Sequence, residues 1–263
     1  MLDERWDPRP YPREELAEAL VAGGVAGPAG HPHHNVFGNI RMLVEHDPDK
    51  LFGLSDMPEP FGFEDIVRIV GEASGVPIDA LATEGSPDID SGAVLDACEA
   101  VGDRLAAAAT RGERVLFATG HPGVLDPLYG AIAELTAAAG TRIVRPAGGD
   151  SWSDTDAGHR WTIAYHGAVG MVTDGERPRH THRPGAMERM LEEERPDLVL
   201  ADHGFAGAAI QAGVETLSVA DVNDPALIVA RAQGRTEVVV VLDDHVPPEA
   251  YWPCFQAVAA RLN

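Results

Sequence analysis

Three segments in the last third of the chain end alike. Asp202-His203-Gly204, Asp221-Val222-Asn223-Asp224 and Asp243-Asp244-His245 each follow a short apolar run, so carboxylates and imidazoles stand where a strand would stop. Carboxylates gathered on one edge repel one another unless a cation or protonation compensates. Asp202, Asp221 and Asp224 are therefore candidate ligands for a hard divalent cation such as Mg²⁺ or Mn²⁺, with Asn223 as a neutral oxygen donor. Earlier, Thr119-Gly120-His121-Pro122-Gly123 joins an apolar run to a helical pattern. There Gly120 and Gly123 would let backbone N–H groups approach a phosphate. His121 and His203 are the candidate acid and base, since imidazole titrates near neutral pH. Arg145 and Arg160 qualify by location as phosphate clamps, and Asp126 reads as a helix cap rather than a catalytic acid.

The densest histidine cluster is His31-Pro32-His33-His34-Asn35. Its spacing permits a shared metal, which would favour a borderline ion such as Zn²⁺, but lacks the familiar i, i+4 pair with a catalytic glutamate. Substrate contact through His33, His34 and Asn35 is the preferred reading, with the role of His31 left open. His180 and His182 fall on one side of an extended segment and read as part of a surface hairpin.

Elements that could bring these groups together follow from periodicity. Short buried strands are expected at Val115 to Ala118, Pro196 to Ala201, Glu215 to Ala220 and Glu237 to Leu242. Helical patterns follow at Asp126 to Ala139, Phe205 to Ala212 and Ala226 to Gln233, most opening near Gly or Pro. Strand and helix in alternation give parallel strands whose carboxyl ends share one edge. The fold class is thus α/β, a three-layer Rossmann-like, mostly parallel sheet. Residues 1–90 read as an irregular N-terminal helical cap, with helices at Arg13 to Val21, Ile40 to Glu45, Glu64 to Ser74 and near Ile78 to Ala82. Residues 91–263 form the α/β core, opened by an alanine-rich helix from Ser91 to Thr110 and carrying an inserted β-hairpin, Trp161 to Tyr165 and Val169 to Thr173. A polar loop runs from Gly148 to His159 and Arg160 before that hairpin, and a helix from Ala186 to Glu194 follows it.

Charge narrows the partners. With 42 acidic and 20 basic residues the formal net charge is −22, and Lys50 is the sole lysine. Such a field disfavours nucleic acid and anionic membranes. No apolar run approaches the roughly 20 residues that span a bilayer, and Met1 to Arg5 lacks a signal-peptide layout, so a cytoplasmic protein is expected. Cys98 and Cys254 support neither a disulfide framework nor a cysteine metal site. A P-loop, a Gly-x-Gly-x-x-Gly after a strand, and the Asp-x-Asp-x-Thr/Val signature of aspartate-nucleophile phosphatases are absent from the sequence.

His33 to Asn39, Thr119 to Gly123, Ala201 to Phe205 and Asn223 to Ala226 together resemble a family of actinobacterial proteins known generically as phosphatases, over nearly the whole chain. More loosely, Asp202-His203-Gly204 with a later acid looks like the metal site of the damage-control metal phosphatases, except that His203 stands where that family has asparagine. The resemblance and the acidic and imidazole groups together point to a metal-dependent phosphatase acting on a small phosphorylated metabolite, and a homodimer is the general default assembly. A phosphometabolite-binding regulatory domain is the alternative, and a nucleotide-dependent enzyme ranks below both.

Overall fold

The structure is a computed structural model that describes residues 4–57, 59–153 and 160–262. In chain order its elements are α1 (Arg13–Ala22), β1 (Gly27–Pro28), α2 (His33–Val44), α3 (Pro48–Leu51), α4 (Phe63–Ser74), β2 (Asp88–Ile89) and α5 (Ser91–Arg111). There follow β3 (Arg114–Ala118), α6 (Asp126–Ala138), β4 (Arg142–Ile143), β5 (Ser151–Ser153), β6 (Arg160–His166), β7 (Val169–Thr173) and α7 (Gly185–Glu193). The last third is β8 (Leu198–Asp202), α8 (His203–Gln211), β9 (Glu215–Ala220), α9 (Pro225–Ala232), β10 (Val238–Val241) and α10 (Trp252–Leu262).

Among the described residues eight strands form the central sheet, seven of them in the order β10-β9-β8-β3-β7-β6-β5 and β4 beside β3 off that path. β4 pairs in parallel with the start of β3, while β7 pairs with its end, at Phe117 and Ala118. From β3 the chain first builds one wing, β4 to β7, and later fills the other with β8, β9 and β10, all parallel to β3. The strand order reverses between β3 and β8, where open α/β sheets leave a crevice at the carboxyl ends. Helices α5, α6 and α10 pack together on one face; α7, α8 and α9 pack on the other, with α4 against α9. This is the three-layer Rossmann-like arrangement that alternating apolar runs predict.

Local rules account for the elements that frame the crevice. β8 is buried along its whole length because helices cover both of its faces, so it reads as an unbroken apolar run. Each fully buried Leu or Val there contributes about 1.5–3 kcal/mol over exposure. In α5 the stripe Val94, Leu95, Cys98, Val101 and Leu105 is buried, Asp90 caps it by accepting from the Ala93 N–H at 2.7 Å, and left-handed Gly112 ends it.

The expected hairpin is present, with β6 and β7 pairing antiparallel, and β7 joins β3 inside the main sheet. Two expectations need correction. Ile78 to Ala82 is not helical, because the Asp79 carboxylate takes the Leu81 N–H at 2.9 Å and closes a turn. α2 begins at His33, after extended Pro32, so His33, His34 and Asn35 occupy its first turn rather than a loop. His159, the end of the expected polar loop, lies outside the described residues. No helix among the described residues is long and apolar enough to cross a membrane.

Candidate functional site

Two glycines and a strap make the crevice. A Cβ on Gly120, just past β3, would lie 2.4 Å from the Thr181 carbonyl, and one on Gly204, just past β8, 2.3 Å from that of His182. Bare glycines thus let residues 180–183 cross directly over both strand ends, where the Thr181 N–H donates to the Gly120 carbonyl at 2.8 Å. The strap delivers His180 and His182 to the edge that already holds His121 and His203. His203 itself adopts φ of 45°, a left-handed conformation that costs a non-glycine residue of order 1–3 kcal/mol and concentrates at functional turns.

A second delivery comes from the N-terminal segment. α3, with Asp47 accepting from the Asp49 N–H at 2.9 Å, ends in Phe52 with φ of 54°. α8 admits it because a Cβ on Gly207 would sit 2.0 Å from the Phe52 carbonyl. Phe52 packs against the His182 and His203 rings at centroid distances of 5.0 and 5.5 Å. Beside it, Asp49 pairs with His182 Nδ1 at 2.9 Å, and Lys50 Nζ lies 3.4 Å from Asp49 and 3.8 Å from Asp224 Oδ1.

His203 is the centre of the cluster. Its Nδ1 is 2.7 Å from Asp202 Oδ1, which also accepts from the Gly120 N–H at 2.7 Å. Its Nε2 faces Asp224 Oδ2 and Asp244 Oδ2, both at 3.5 Å. His121 Nδ1 is 3.6 Å from the same Asp244 oxygen. The His180 ring lies 4.6 Å from that of His121 and 5.0 Å from that of His203, and His182 stacks on His203 at 5.0 Å. Two triads, His121/His180/His203 and His182/His203/Asp224, each hold ligand-capable atoms within 4.8 Å of one another.

On the other flank, His31 Nε2 lies 3.5 Å from Asp221 Oδ2. Asn223 Nδ2 donates to Asn35 Oδ1 at 3.4 Å, and its carbonyl accepts from Asn39 Nδ2 at 2.7 Å. The Asp243 carboxylate accepts from the N–H groups of Gly30 at 2.5 Å and His245 at 3.0 Å, fixing the N-terminal segment to the sheet edge.

Burial sets the electrostatics. It penalises charge on His203, but Asp202, Asp224 and Asp244 outweigh it and hold the imidazolium well above its ordinary range. Burial likewise raises Asp202 and Asp224, and the hydrogen bond and charge of His203 reverse it, leaving Asp224 at about 2 and Asp202 below the usual carboxylate value. At Asp221 burial, then Asp244, Asp243 and Asp224, push the carboxyl well up, outweighing the Asn223 N–H that its Oδ1 accepts at 3.3 Å. Burial and the neighbouring imidazoles lower His180 to about 4, which keeps it a neutral donor.

The donor set fits a divalent cation. Buried Asp202 Oδ2, Asp221 Oδ2, Asn223 Oδ1, Asp224 Oδ1 and His121 Nδ1 have no hydrogen-bond partner among the described residues. Each such group costs about 1–3 kcal/mol if left unsatisfied, and all are oxygen or imidazole donors of the kind divalent ions take. His203, with Nδ1 on a carboxylate and Nε2 turned inward, has the orientation that metal-ligating histidines adopt.

The expected residues divide accordingly. Asp202, Asp221, Asn223, Asp224, His121 and His203 converge on one edge. Gly120 and Gly123 do not offer free N–H groups: Gly120 donates to Asp202, His121 to the Thr119 hydroxyl at 2.9 Å, and Gly123 to Asp126 Oδ1 at 2.5 Å. The phosphate cradle is therefore absent from this loop, its donors being spent on the fold. Asp126 does not cap α6; it braces the loop and meets His166 Nδ1 at 2.9 Å. Arg145 is exposed, and Arg160 donates to Ser151 at 2.8 Å on the outer β5–β6 pair, so neither clamps the cluster. His34 is exposed and His33 turns to the Glu84 carbonyl at 3.0 Å; of that run, His31 and Asn35 are the ones that reach the strand ends. Sequence reasoning did not assign His180, His182, Asp244, Asp49, Lys50 and Phe52 to the site. The signal for the first two was the His-x-His spacing, which puts both rings on one side of an extended strap.

A profile of the Phosphatase family matches residues 11–263. Phosphatase SCO2771 of Streptomyces coelicolor is 37% identical over 246 residues, which cover 91% of this chain and 92% of that protein. The chain belongs to the Phosphatase family.

Proposed function

We propose that this member of the Phosphatase family is a metal-dependent phosphomonoester hydrolase acting on a small phosphorylated metabolite. The observation that carries the reading is the His203 cluster, in which buried imidazoles and unsatisfied carboxylates meet at the reversal point of the sheet. A bound divalent ion supplies Lewis acidity and neutralises the phosphoryl oxygens. The donor set is richer in imidazole than the acids alone suggest, which favours Zn²⁺ or Mn²⁺ over Mg²⁺.

The chain's own groups do the rest. Asp202 orients His203, and Asp49 does the same for His182. Imidazoles committed to an ion are poor proton carriers, so the acid for the leaving oxygen falls to a rim group, with His245, exposed and 6.1 Å from the His121 ring, the nearest to hand. Lys50, whose side chain is 11% exposed beside Asp224, takes the anchoring role that Arg145 and Arg160 do not reach. Phe52 closes the floor against water. Exposed His180 and half-buried His31 mark the open mouth through which a small ester enters.

Hydrolysis of p-nitrophenyl phosphate by chelator-stripped protein, with Zn²⁺ or Mn²⁺ added back, tests this. Turnover that vanishes on stripping and returns with either ion is expected. Phosphate binding without turnover under every metal would instead establish the regulatory-domain reading.

A further inference from the structure

We propose that the crevice holds two cations of unlike chemistry, one ligated mainly by imidazoles and one mainly by carboxylate oxygens. The inference rests on the metal-dependent reading above and adds the number of ions and the division of ligands between them.

The two triads around His203 describe one position, not two. His203 Nδ1 is committed to Asp202, so Nε2 alone is available and can serve a single ion. That ion sits among His121, His180 and His203, with Asp244 Oδ2 equidistant from the His203 and His121 nitrogens to within 0.1 Å, at 3.5 and 3.6 Å. Three imidazoles and one carboxylate suit a borderline ion such as Zn²⁺.

That position leaves Asp221 unserved. Asp221 is 0% exposed, and its Oδ2 has no hydrogen-bond partner among the described residues, although His31 Nε2 stands 3.5 Å away. Asn223 Oδ1, two residues on, is equally unsatisfied, as is Asp224 Oδ1. Asp224 presents its other oxygen to His203, so its carboxylate spans both positions. Asp221 Oδ1 accepts from the Asn223 N–H at 3.3 Å, which leaves Asp221 Oδ2, Asn223 Oδ1 and Asp224 Oδ1 as oxygen donors of the kind that a hard ion such as Mn²⁺ or Mg²⁺ takes. Two ions on either side of a shared carboxylate would clamp both the attacking and the leaving oxygens of a phosphoryl transfer.

The test is metal content per chain after incubating stripped protein with Zn²⁺ and Mn²⁺ together, followed by gel filtration, elemental analysis and the electron paramagnetic resonance of bound Mn²⁺. Wild type should retain one zinc and one manganese. His180→Ala should lose zinc and keep manganese, whereas Asp221→Asn should lose manganese and keep zinc. His31→Ala, on the rim, should weaken manganese alone by more than about tenfold, and it stands in if Asp221→Asn does not fold. Loss of the same single ion by both variants, or zinc in both positions despite manganese, would overturn the proposal while leaving metal-dependent hydrolysis intact. Retention of no metal by wild type would overturn both.

Discussion

Asp174 and Asp221 both stand just beyond the carboxyl end of a parallel strand, β7 and β9, on opposite wings of the same sheet. Asp174 accepts from the Glu176 and Arg177 N–H groups at 3.0 and 2.9 Å and pairs with Arg179, so its carboxyl is held far below the usual range. Asp221 is buried against other acids and is pushed up. An acid at a strand end is therefore not in itself a sign of chemistry. What separates the two is whether the fold satisfies the carboxylate with two N–H groups and a guanidinium, or buries it with a single N–H on one oxygen and leaves the other, Oδ2, for something else to complete.

The sharpest way to break this contrast is at the centre of the unsatisfied wing. His203→Ala should abolish retention of the imidazole-bound ion and reduce turnover by more than the about 10–100-fold that loss of an outer partner costs. Asp202→Asn keeps the shape but weakens the acceptor that orients His203, so metal affinity should fall by about 10–100-fold with the fold intact. Calorimetric titration of both variants with Zn²⁺ checks the ordering. Equal affinity for wild type and Asp202→Asn would remove Asp202 from the site.

A pH scan of metal-free protein tests the same wing without ions. His203 is raised, so the stability it contributes is complete below its unfolded pKa of about 6.5 and is lost as pH rises through the higher folded value. Asp221 is also raised, and so adds a loss in the same direction, beginning above its unfolded pKa of about 3.9. Asp224, lowered to about 2, acts oppositely, and its contribution is lost only in strong acid. Melting temperature of the stripped protein should therefore fall from pH 6 to pH 9, a slope that bound metal removes and that Asp221→Asn reduces.

Gly204→Ala should act through the strap. Its Cβ would collide with the His182 and Arg183 backbone, and overpacking of this kind costs about 1–3 kcal/mol. Displacing the strap moves His180 and His182 together, so zinc affinity and melting temperature should drop in parallel. Lys50→Met removes the cation 3.8 Å from Asp224 Oδ1, so metal content is measured alongside; at equal metal it should raise KM for p-nitrophenyl phosphate more than it lowers kcat, by about tenfold for one lost charge-assisted contact. A fall in kcat at constant KM would move Lys50 from anchoring to the chemical step.

Much of this was legible in the sequence because the site's floor is made of strand ends. Buried parallel strands announce themselves as apolar runs, and β3, β8, β9 and β10 fall within a residue or two of their expected bounds. Asp202, Asp221 and Asp224 could be placed on one edge for that reason. The walls were not legible, because they come from segments without periodicity. The strap 180–183 and the single turn of α3 gain their positions from bare glycines on other elements, Gly120, Gly204 and Gly207, a long-range fit that no local pattern encodes. Arg145 and Arg160 were chosen by nearness in the chain, but Arg145 is exposed past the end of β4, and β6 carries Arg160 to the outer edge of the sheet. α2 starts at His33, well before the expected Ile40, which leaves His34 exposed in its first turn, while His31 precedes the helix and reaches Asp221.

The smallest effect is expected on the satisfied wing, at Asp174→Ala. This change frees two N–H groups and Arg179 in an exposed turn, where water replaces the lost acceptor. The turn leads into the strap that carries His180 and His182. The strap, however, has its own ties: Arg179 N–H donates to the Val172 carbonyl at 2.9 Å, and Thr181 N–H to the Gly120 carbonyl at 2.8 Å. Neither bond passes through the Asp174 side chain. Metal content should remain that of wild type and turnover should stay within about twofold, the range of a surface change away from a site. A loss of zinc in Asp174→Ala would show that the turn positions the strap, and the two wings would then have to be treated as one site.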